Sequence, residues 1–321
     1  MRAQEQDVLA RVRDWLVAGK RTWLCTIVGT VGSSPRPVGA MLACNDVGEQ
    51  VGSLSGGCVE DDLLARIRAG DISLTLPQQI EYGVTAQENE RLGLPCGGRL
   101  HVLVEPLLAV DASLKWIDAV LQQLSLRRCI VRTLQLATGD VAYASCEQFV
   151  ALSLESDRVE QCFGPQKRLL LVGAGQMSLT LAELALAMDY EVMVTDPRQT
   201  LLDQWEGPTV PLLAGMPDDV VRENADDPHS IVITLTHDPR IDDMALMEAL
   251  ERDCWYVGAL GSARTTTKRL ARLRALGLGD SALQRLHAPV GLPIGSKTPM
   301  EIAVAILGEL TQLRRAAEQR A

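Results

Sequence analysis

The stretch from Gly32 to Glu60, GSSPRPVGAMLACNDVGEQVGSLSGGCVE, concentrates residue types that do chemistry. Its glycines let the backbone take positive φ and approach a ligand closely. Turns of that kind expose runs of N–H groups, which form concave sites for anions. Arg36 is the only Lys or Arg between Thr22 and Ala65, and Pro35 and Pro37 stiffen the chain on either side. Together with the Gly32–Ser34 turn, which contains Ser33 and Ser34, Arg36 reads as an anion contact. Cys58 follows Gly56-Gly57 and opens an amphipathic run, Val59 to Ala69, that predicts a helix. A helix N-terminus favours negative charge, which suits a reactive sulfur. Glu60, Asp61 and Asp62 work against a charged sulfur and read as first-turn helix charges. Cys96 is the second cysteine beside a glycine pair, in Cys96-Gly97-Gly98. The plainer alternative for this region is a hairpin turn, a loop and a structural cysteine.

A second glycine site lies in RLLLVGAGQMSLTLAELALAMDYEVMVTDPR, residues 168–198. The pattern is strand, glycine turn, amphipathic helix, strand, acid. Gly173 and Gly175 supply the tight turn and close backbone approach, and the helix beginning near Gln176 aims its N–H groups at a phosphate. Asp196 ends the second strand, where it would meet a ribose hydroxyl. Ser178 stands where the fingerprint has its third glycine, and is small enough to allow helix packing. His237, in Thr-His-Asp after an apolar strand, falls at the carboxyl end of the sheet, where such folds bind ligands. A turn histidine with no chemical role is the alternative. His101, His229 and His287 show no ligand spacing with one another, which argues against zinc.

These residues need a scaffold, and length and composition bound it. A chain of 321 residues suggests two domains and can bury roughly three quarters of its unfolded surface. Aromatics are only 3%, so the core must be aliphatic. A net charge of −10 argues against nucleic acid and against anionic membranes. No segment reaches about 18 uninterrupted apolar residues, so none predicts a membrane span. The N-terminus places Val8, Val12 and Trp15 at helical spacing and lacks a signal-peptide core, which points to a first helix of a cytoplasmic protein. Eight cysteines without CxxC spacing argue against a zinc ribbon, an iron–sulfur cluster or a thioredoxin motif. Cys25, Cys129, Cys146 and Cys254 sit in or beside apolar, strand-like runs and read as buried small hydrophobes.

The first half, residues 1–154, predicts an α/β domain with a mostly antiparallel or mixed sheet. Strands are expected over 21–28, 40–44, 80–82, 100–104 and 129–136, with helices over 58–69 and 112–124. The polar, Gly-Pro-containing segment 155–167 reads as a linker. Residues 168–321 predict a Rossmann-like, doubly wound parallel sheet, with further strands over 210–213, 231–235 and 255–257. Thr298-Pro299-Met300-Glu301 predicts a final helix start, with Thr298 as N-cap and Glu301 completing a capping box. A homodimer could use a sheet edge or the amphipathic first helix.

Several motifs, in order, resemble one known family. GSSPRPVGAM (32–41), GSLSGGCVE (52–60) and CGG (96–98) look like the N-terminal domain of the XdhC/CoxI family. GAG (173–175), THD (236–238), GALGS (258–262) and HAPVGLPIG with TPMEIAVAIL (287–307) look like its C-terminal Rossmann domain. The resemblance implies an accessory chaperone, not an enzyme. Such a protein would bind molybdenum cofactor, support its terminal sulfuration and insert it into an apo molybdoenzyme of the xanthine dehydrogenase or aldehyde oxidoreductase class. The implied partners are the large chain of that enzyme, a cysteine desulfurase and the nucleotidyltransferase of cofactor synthesis. In that setting Arg36 and the two glycine turns would meet phosphate or pterin. Cys58, and after it Cys96, would contact molybdenum or its exchangeable sulfur. The chain departs from the family pattern at Gln176-Met177, Asp189-Tyr190 and Asp196-Pro197-Arg198, around the nucleotide-facing turn. Both molybdopterin and its cytosine dinucleotide therefore stay open.

The competing reading is an NAD(P)-dependent oxidoreductase built on the Rossmann half, with Cys58 or His237 in catalysis. None of the four tyrosines has a lysine four residues on, so the usual Tyr-Lys acid–base pair is missing.

Overall fold

The computed structural model describes residues 3–318, apart from 33, 35, 93–97, 109–110 and 148. The readings placed on Ser33 and Cys96 therefore lie outside the described residues. The chain divides into two compact units, Met1–Pro165 and Gln166–Arg320.

The first unit runs α1 (Ala3–Val17), β1 (Thr22–Val31), β2 (Met41–Asn45), β3 (Gln50–Gly52), α2 (Cys58–Ala69), β4 (Gln78–Tyr82), α3 (Ala86–Arg91), β5 (Arg99–Leu107), α4 (Asp111–Ser125), β6 (Cys129–Gln135), β7 (Val141–Cys146), β8 (Ser153–Leu154) and β9 (Arg158–Phe163). Its described residues build two sheets, not the single one the sequence suggests. The first is antiparallel with order β3-β2-β1-β5-β4; the second has order β7-β6-β9-β8. Segment 155–167 is thus no bare connector. Alternation along β9 buries Val159, Gln161 and Phe163, and the strand pairs with β6.

Alternation also splits β1. Trp23, Cys25 and Ile27 join Leu54, Val59 and Leu63 under α2, while Leu24 faces α1 and α4. The apolar stripe of α1, with Val8, Val12 and Trp15, is spent inside this unit, so the helix is not available for self-association as its amphipathicity suggested. Each such fully buried side chain contributes about 1.5–3 kcal/mol.

Register fixes which loops share an end of the first sheet. Thr26 lies opposite Met41, Val31 opposite Arg99, Tyr82 opposite Leu100 and Leu42 opposite Gly52. The loop after β1 (Arg36), the loop after β3 (Ser53–Gly57) and the segment before β5 (Gly98) therefore leave from one end. Gly52 must be glycine: its φ is +88°, and a Cβ there would stand 2.3 Å from the Met41 carbonyl.

The second unit runs β10 (Arg168–Val172), α5 (Gln176–Ala187), β11 (Glu191–Asp196), α6 (Gln199–Asp203), β12 (Leu212–Ala214), α7 (Pro217–Asn224), β13 (Ser230–Thr234), α8 (Pro239–Glu251), β14 (Tyr256–Ala259), α9 (Ala263–Ala275), α10 (Asp280–Leu283), β15 (Leu286–His287) and α11 (Pro299–Glu318). The sheet is parallel with order β12-β11-β10-β13-β14-β15, the doubly wound Rossmann arrangement. Leu169 and Leu171 point to the core under α5 and α11; Leu170 and Val172 point to the core under α7, α8 and α9. Glu301 caps α11 as expected, accepting the Lys297 and Thr298 N–H groups at 2.7 and 3.0 Å.

Candidate functional site

In the first unit, Glu60 organises the rim. The residue is only 5% exposed, and its carboxylate accepts hydrogen bonds from the whole preceding loop. Oε1 receives the Ser53 hydroxyl and the N–H groups of Leu54 and Ser55, each at 2.8 Å, and that of Gly56 at 3.0 Å. Oε2 receives the Ser55 hydroxyl at 2.6 Å and the Gly57 N–H at 2.9 Å. Burial alone would push this carboxyl up. The Ser55 hydroxyl and N–H, the Gly56 N–H and the Ser53 hydroxyl outweigh it and hold the group far below the usual carboxylate range.

This corrects the sequence reading in two ways. The Gly56 and Gly57 N–H groups, which lie in the stretch read as exposing its N–H groups to anions, are donated to Glu60. Glu60 itself, read as one more helix charge, is the internal anion that shapes the loop. The spacing Gly57 to Glu60, N-cap to N3, was the available signal.

The consequence is the placement of Cys58. It begins α2 with its side chain exposed, while the next residues, Val59, Leu63 and Leu64, anchor the helix in the core. Opposite faces of one short helix thus carry a fixed root and a solvent-facing thiol. Asp62 is engaged with Arg91 of α3 at 2.9 Å, so it too has a structural task. Arg36, half-buried in the loop after β1, has no described residue paired with its guanidinium, and the Ser34 hydroxyl donates to the Arg36 carbonyl at 2.7 Å, fixing the loop instead of reaching outward. A Cβ on Gly32 would lie 3.5 Å from the Gly98 Cα, so the start of the loop after β1 lies against the residue that precedes β5.

In the second unit, the crevice at the carboxyl ends of β10 and β13 is where the strand order reverses. Gly173 (φ +109°) lies against the loop after β13, and a Cβ would stand 2.6 Å from Thr236 Cγ2. Its N–H donates to the Thr195 carbonyl at 2.7 Å, and the Ala174 N–H to Asp196 Oδ2 at 2.9 Å. The Gly173–Gly175 turn is therefore held from within, and the N–H groups left to meet a phosphate are those of the first α5 turn, from Gly175 onward. Ser178 is buried and its hydroxyl bonds the Gly173 carbonyl, tying the helix to the turn where a glycine would only make room.

Asp196 is fully buried. Besides Ala174 it accepts the Arg198 N–H at 3.0 Å and the Arg198 guanidinium at 2.8 Å through both oxygens. Burial raises its pKa, but the Arg198 side chain, then the Ala174 and Arg198 N–H groups, pull it below the ordinary value. Both oxygens are engaged, so a ribose hydroxyl would have to displace Arg198. His237 is exposed, at the crevice mouth. Its neighbours are structural: Thr236 Oγ1 donates to Asp242 at 2.7 Å, and Asp238 caps α8 through the Arg240 N–H at 2.9 Å.

Two residues outside the sequence reading hold the crevice edges. Arg269 bonds Asp242 at 2.9 Å and the Leu260 carbonyl at 3.1 Å, joining the loops after β13 and β14 in a pair almost without solvent. No short motif announces it, because its members come from α8 and α9.

Known proteins share this architecture. Residues 169–310 match the XdhC Rossmann domain, and residues 15–73 match the XdhC and CoxI family. The chain is 29% identical to a probable xanthine dehydrogenase subunit of Bacillus subtilis (strain 168), across 91% of this chain and 93% of the relative. It is 27% identical to the molybdenum cofactor insertion chaperone PaoD of Escherichia coli (strain K12), across 93% of this chain and 85% of the relative. The crystal structure of a xanthine dehydrogenase from Bacillus halodurans superposes with a TM-score of 0.75 at 26% identity, covering 98% of this chain and 97% of that one.

Proposed function

The chain belongs to the XdhC and CoxI family, and from that membership and the rim chemistry we propose that it is an insertion chaperone for the molybdenum cofactor. It binds the cofactor as cargo and delivers it, in the cytoplasm, to the large subunit of an apo molybdoenzyme of the xanthine dehydrogenase or aldehyde oxidoreductase class. The likeness to a named insertion chaperone over 93% of this chain supports the coarse reading. The residue-level observation that carries it is the exposed Cys58 thiol, presented by a loop that Glu60 has locked.

The cargo suits these groups. A dithiolene-held molybdenum with an exchangeable sulfur is soft, and a thiol is a soft partner. The phosphate calls for a guanidinium, and that of Arg36 is uncommitted among the described residues. The first turn of α5 suits a phosphate or pyrophosphate, and exposed His237 at the same crevice can meet the pterin or base. Because the chain's own Asp196 is satisfied by Arg198, the crevice favours an anionic group over a bare ribose hydroxyl.

In this account Cys58 also supports terminal sulfuration: a cysteine desulfurase brings sulfur to the bound cofactor, and a nucleotidyltransferase hands on the cytosine dinucleotide form where that form is used. Arg36 and Cys58 bind and orient; neither carries out turnover.

Purified chain from cells that make the cofactor is expected to retain a pterin, detected by fluorescence after oxidative release. Mild acid hydrolysis separates the two cofactor forms, since only the dinucleotide yields cytidine monophosphate. Absence of pterin together with substrate-linked oxidation of NAD(P)H would replace the chaperone by an oxidoreductase.

A further inference from the structure

Three cysteines outside this site converge in the second sheet of the first unit. Cys129 begins the inner strand β6, and the register places Cys146 of β7 directly opposite it. On the other side of β6, Cys162 of β9 lies opposite Val131. Residues 129 and 131 share one face of a strand, so all three side chains stand on the same side of the sheet. Their sulfurs lie within 4.8 Å of one another, and the Cys146–Cys162 pair is 3.6 Å apart. All three are thiols in the structure. Cys129 and Cys162 are buried and Cys146 is half-exposed, which gives the group one route to solvent.

We propose that Cys129, Cys146 and Cys162 form a three-thiolate site for one thiophilic d10 metal ion of the zinc class. The spacing fits. Sulfurs about 2.3 Å from a zinc-sized ion sit roughly 4 Å apart in trigonal or tetrahedral geometry, and the observed separations bracket that value. The donor chemistry is all sulfur, which selects soft ions over magnesium or calcium. Rigid strands on either side of β6 fix two donors against the third, so little ordering is needed on binding. The half-exposed Cys146 leaves a fourth position open to solvent.

No sequence motif marks this site. Its ligands come from three strands, with Cys146 and Cys162 16 positions apart in the chain, and Cys162 sits in a segment whose polarity suggests a linker. The site is also separate from the proposed cofactor contacts, so its failure would leave the chaperone reading standing.

The test uses the full-length, reduced chain under anaerobic conditions, titrated with cadmium(II) chloride alone. The expected result is a thiolate-to-cadmium charge-transfer band saturating at one equivalent, with added zinc(II) abolishing it. Cys146→Ser and Cys162→Ser should each weaken binding at least about 100-fold while circular dichroism shows an unchanged fold. Cys58→Ser should leave the band intact. Cys146→Ser is the decisive variant, because its half-exposed position tolerates serine. No band, a band unchanged in Cys146→Ser, or a band lost in Cys58→Ser would overturn the site.

Discussion

Ser55 binds Glu60 twice: its N–H reaches Oε1 at 2.8 Å and its hydroxyl reaches Oε2 at 2.6 Å. That bidentate grip, repeated by neighbouring amides, turns a glycine-rich loop into a fixed ring around a buried carboxylate. The ring explains how so flexible a sequence presents Cys58 reproducibly. Its N–H groups serve the protein's own anion; under the proposed function an external one falls to Arg36 and to the first turn of α5.

Glu60→Ala should destabilise the first unit by about 3 kcal/mol, because Leu54, Ser55, Gly56 and Gly57 lose the acceptor of their N–H groups. Urea unfolding measures it; a loss under about 1 kcal/mol would show that water replaces the carboxylate.

The same carboxylate sets an acid limit. Its folded pKa is depressed, so its stabilisation is fully present above the unfolded glutamate value of about 4.3 and is lost as pH falls below it. Between pH 5 and 3, wild type should lose more stability than Glu60→Gln, whose side chain does not titrate in that range. Parallel losses would remove Glu60 as the cause.

Cys58→Ala should leave thermal stability within about 0.5 kcal/mol of wild type, as expected at an exposed position, yet abolish activation of the client enzyme. Arg36→Ala should weaken cofactor retention about 10- to 100-fold, the equivalent of one charge-assisted hydrogen bond of about 1.5–3 kcal/mol. Client-enzyme activity reads the first variant and retained pterin per chain the second, and full activation by the cysteine variant would take Cys58 out of the site.

The two turn glycines should separate structure from binding. Gly173→Ala meets Thr236 at 2.6 Å in a left-handed backbone and should cost the second unit about 1–3 kcal/mol. Gly175 faces open space, so Gly175→Ala should fold normally while reducing cofactor uptake by crowding the helix terminus. Equal melting points for both variants would contradict this division.

Arg269→Met should cost about 3–5 kcal/mol, since it strands the buried Asp242 carboxylate. The double variant Asp242→Leu/Arg269→Met should be milder than the single one. Additive losses would mean that the pair acts separately.

The Rossmann half was legible because its signals are local: a hydrophobic strand, a glycine turn, a helix and an acid within about 30 residues. What escaped depends on long-range pairing. The polar 155–167 segment hides β9, whose partner β6 lies earlier in the chain and supplies the alternation's buried side. Asp196 was found by position, but its engagement by Arg198 follows from side-chain geometry that spacing does not encode. Glu60 was seen and assigned too small a task, because its acceptor capacity shows only once the loop folds back upon it.

The central claim is delivery, and reconstitution measures it most directly. Purified, cofactor-loaded chain is mixed with a cofactor-free molybdoenzyme of the xanthine dehydrogenase class, and enzyme activity is followed together with pterin content on each protein. The account predicts that pterin moves from the chain to the enzyme and that activity rises in step, with wild type and not with Cys58→Ala. Pterin that stays on the chain, or activation equal with and without it, would contradict the account.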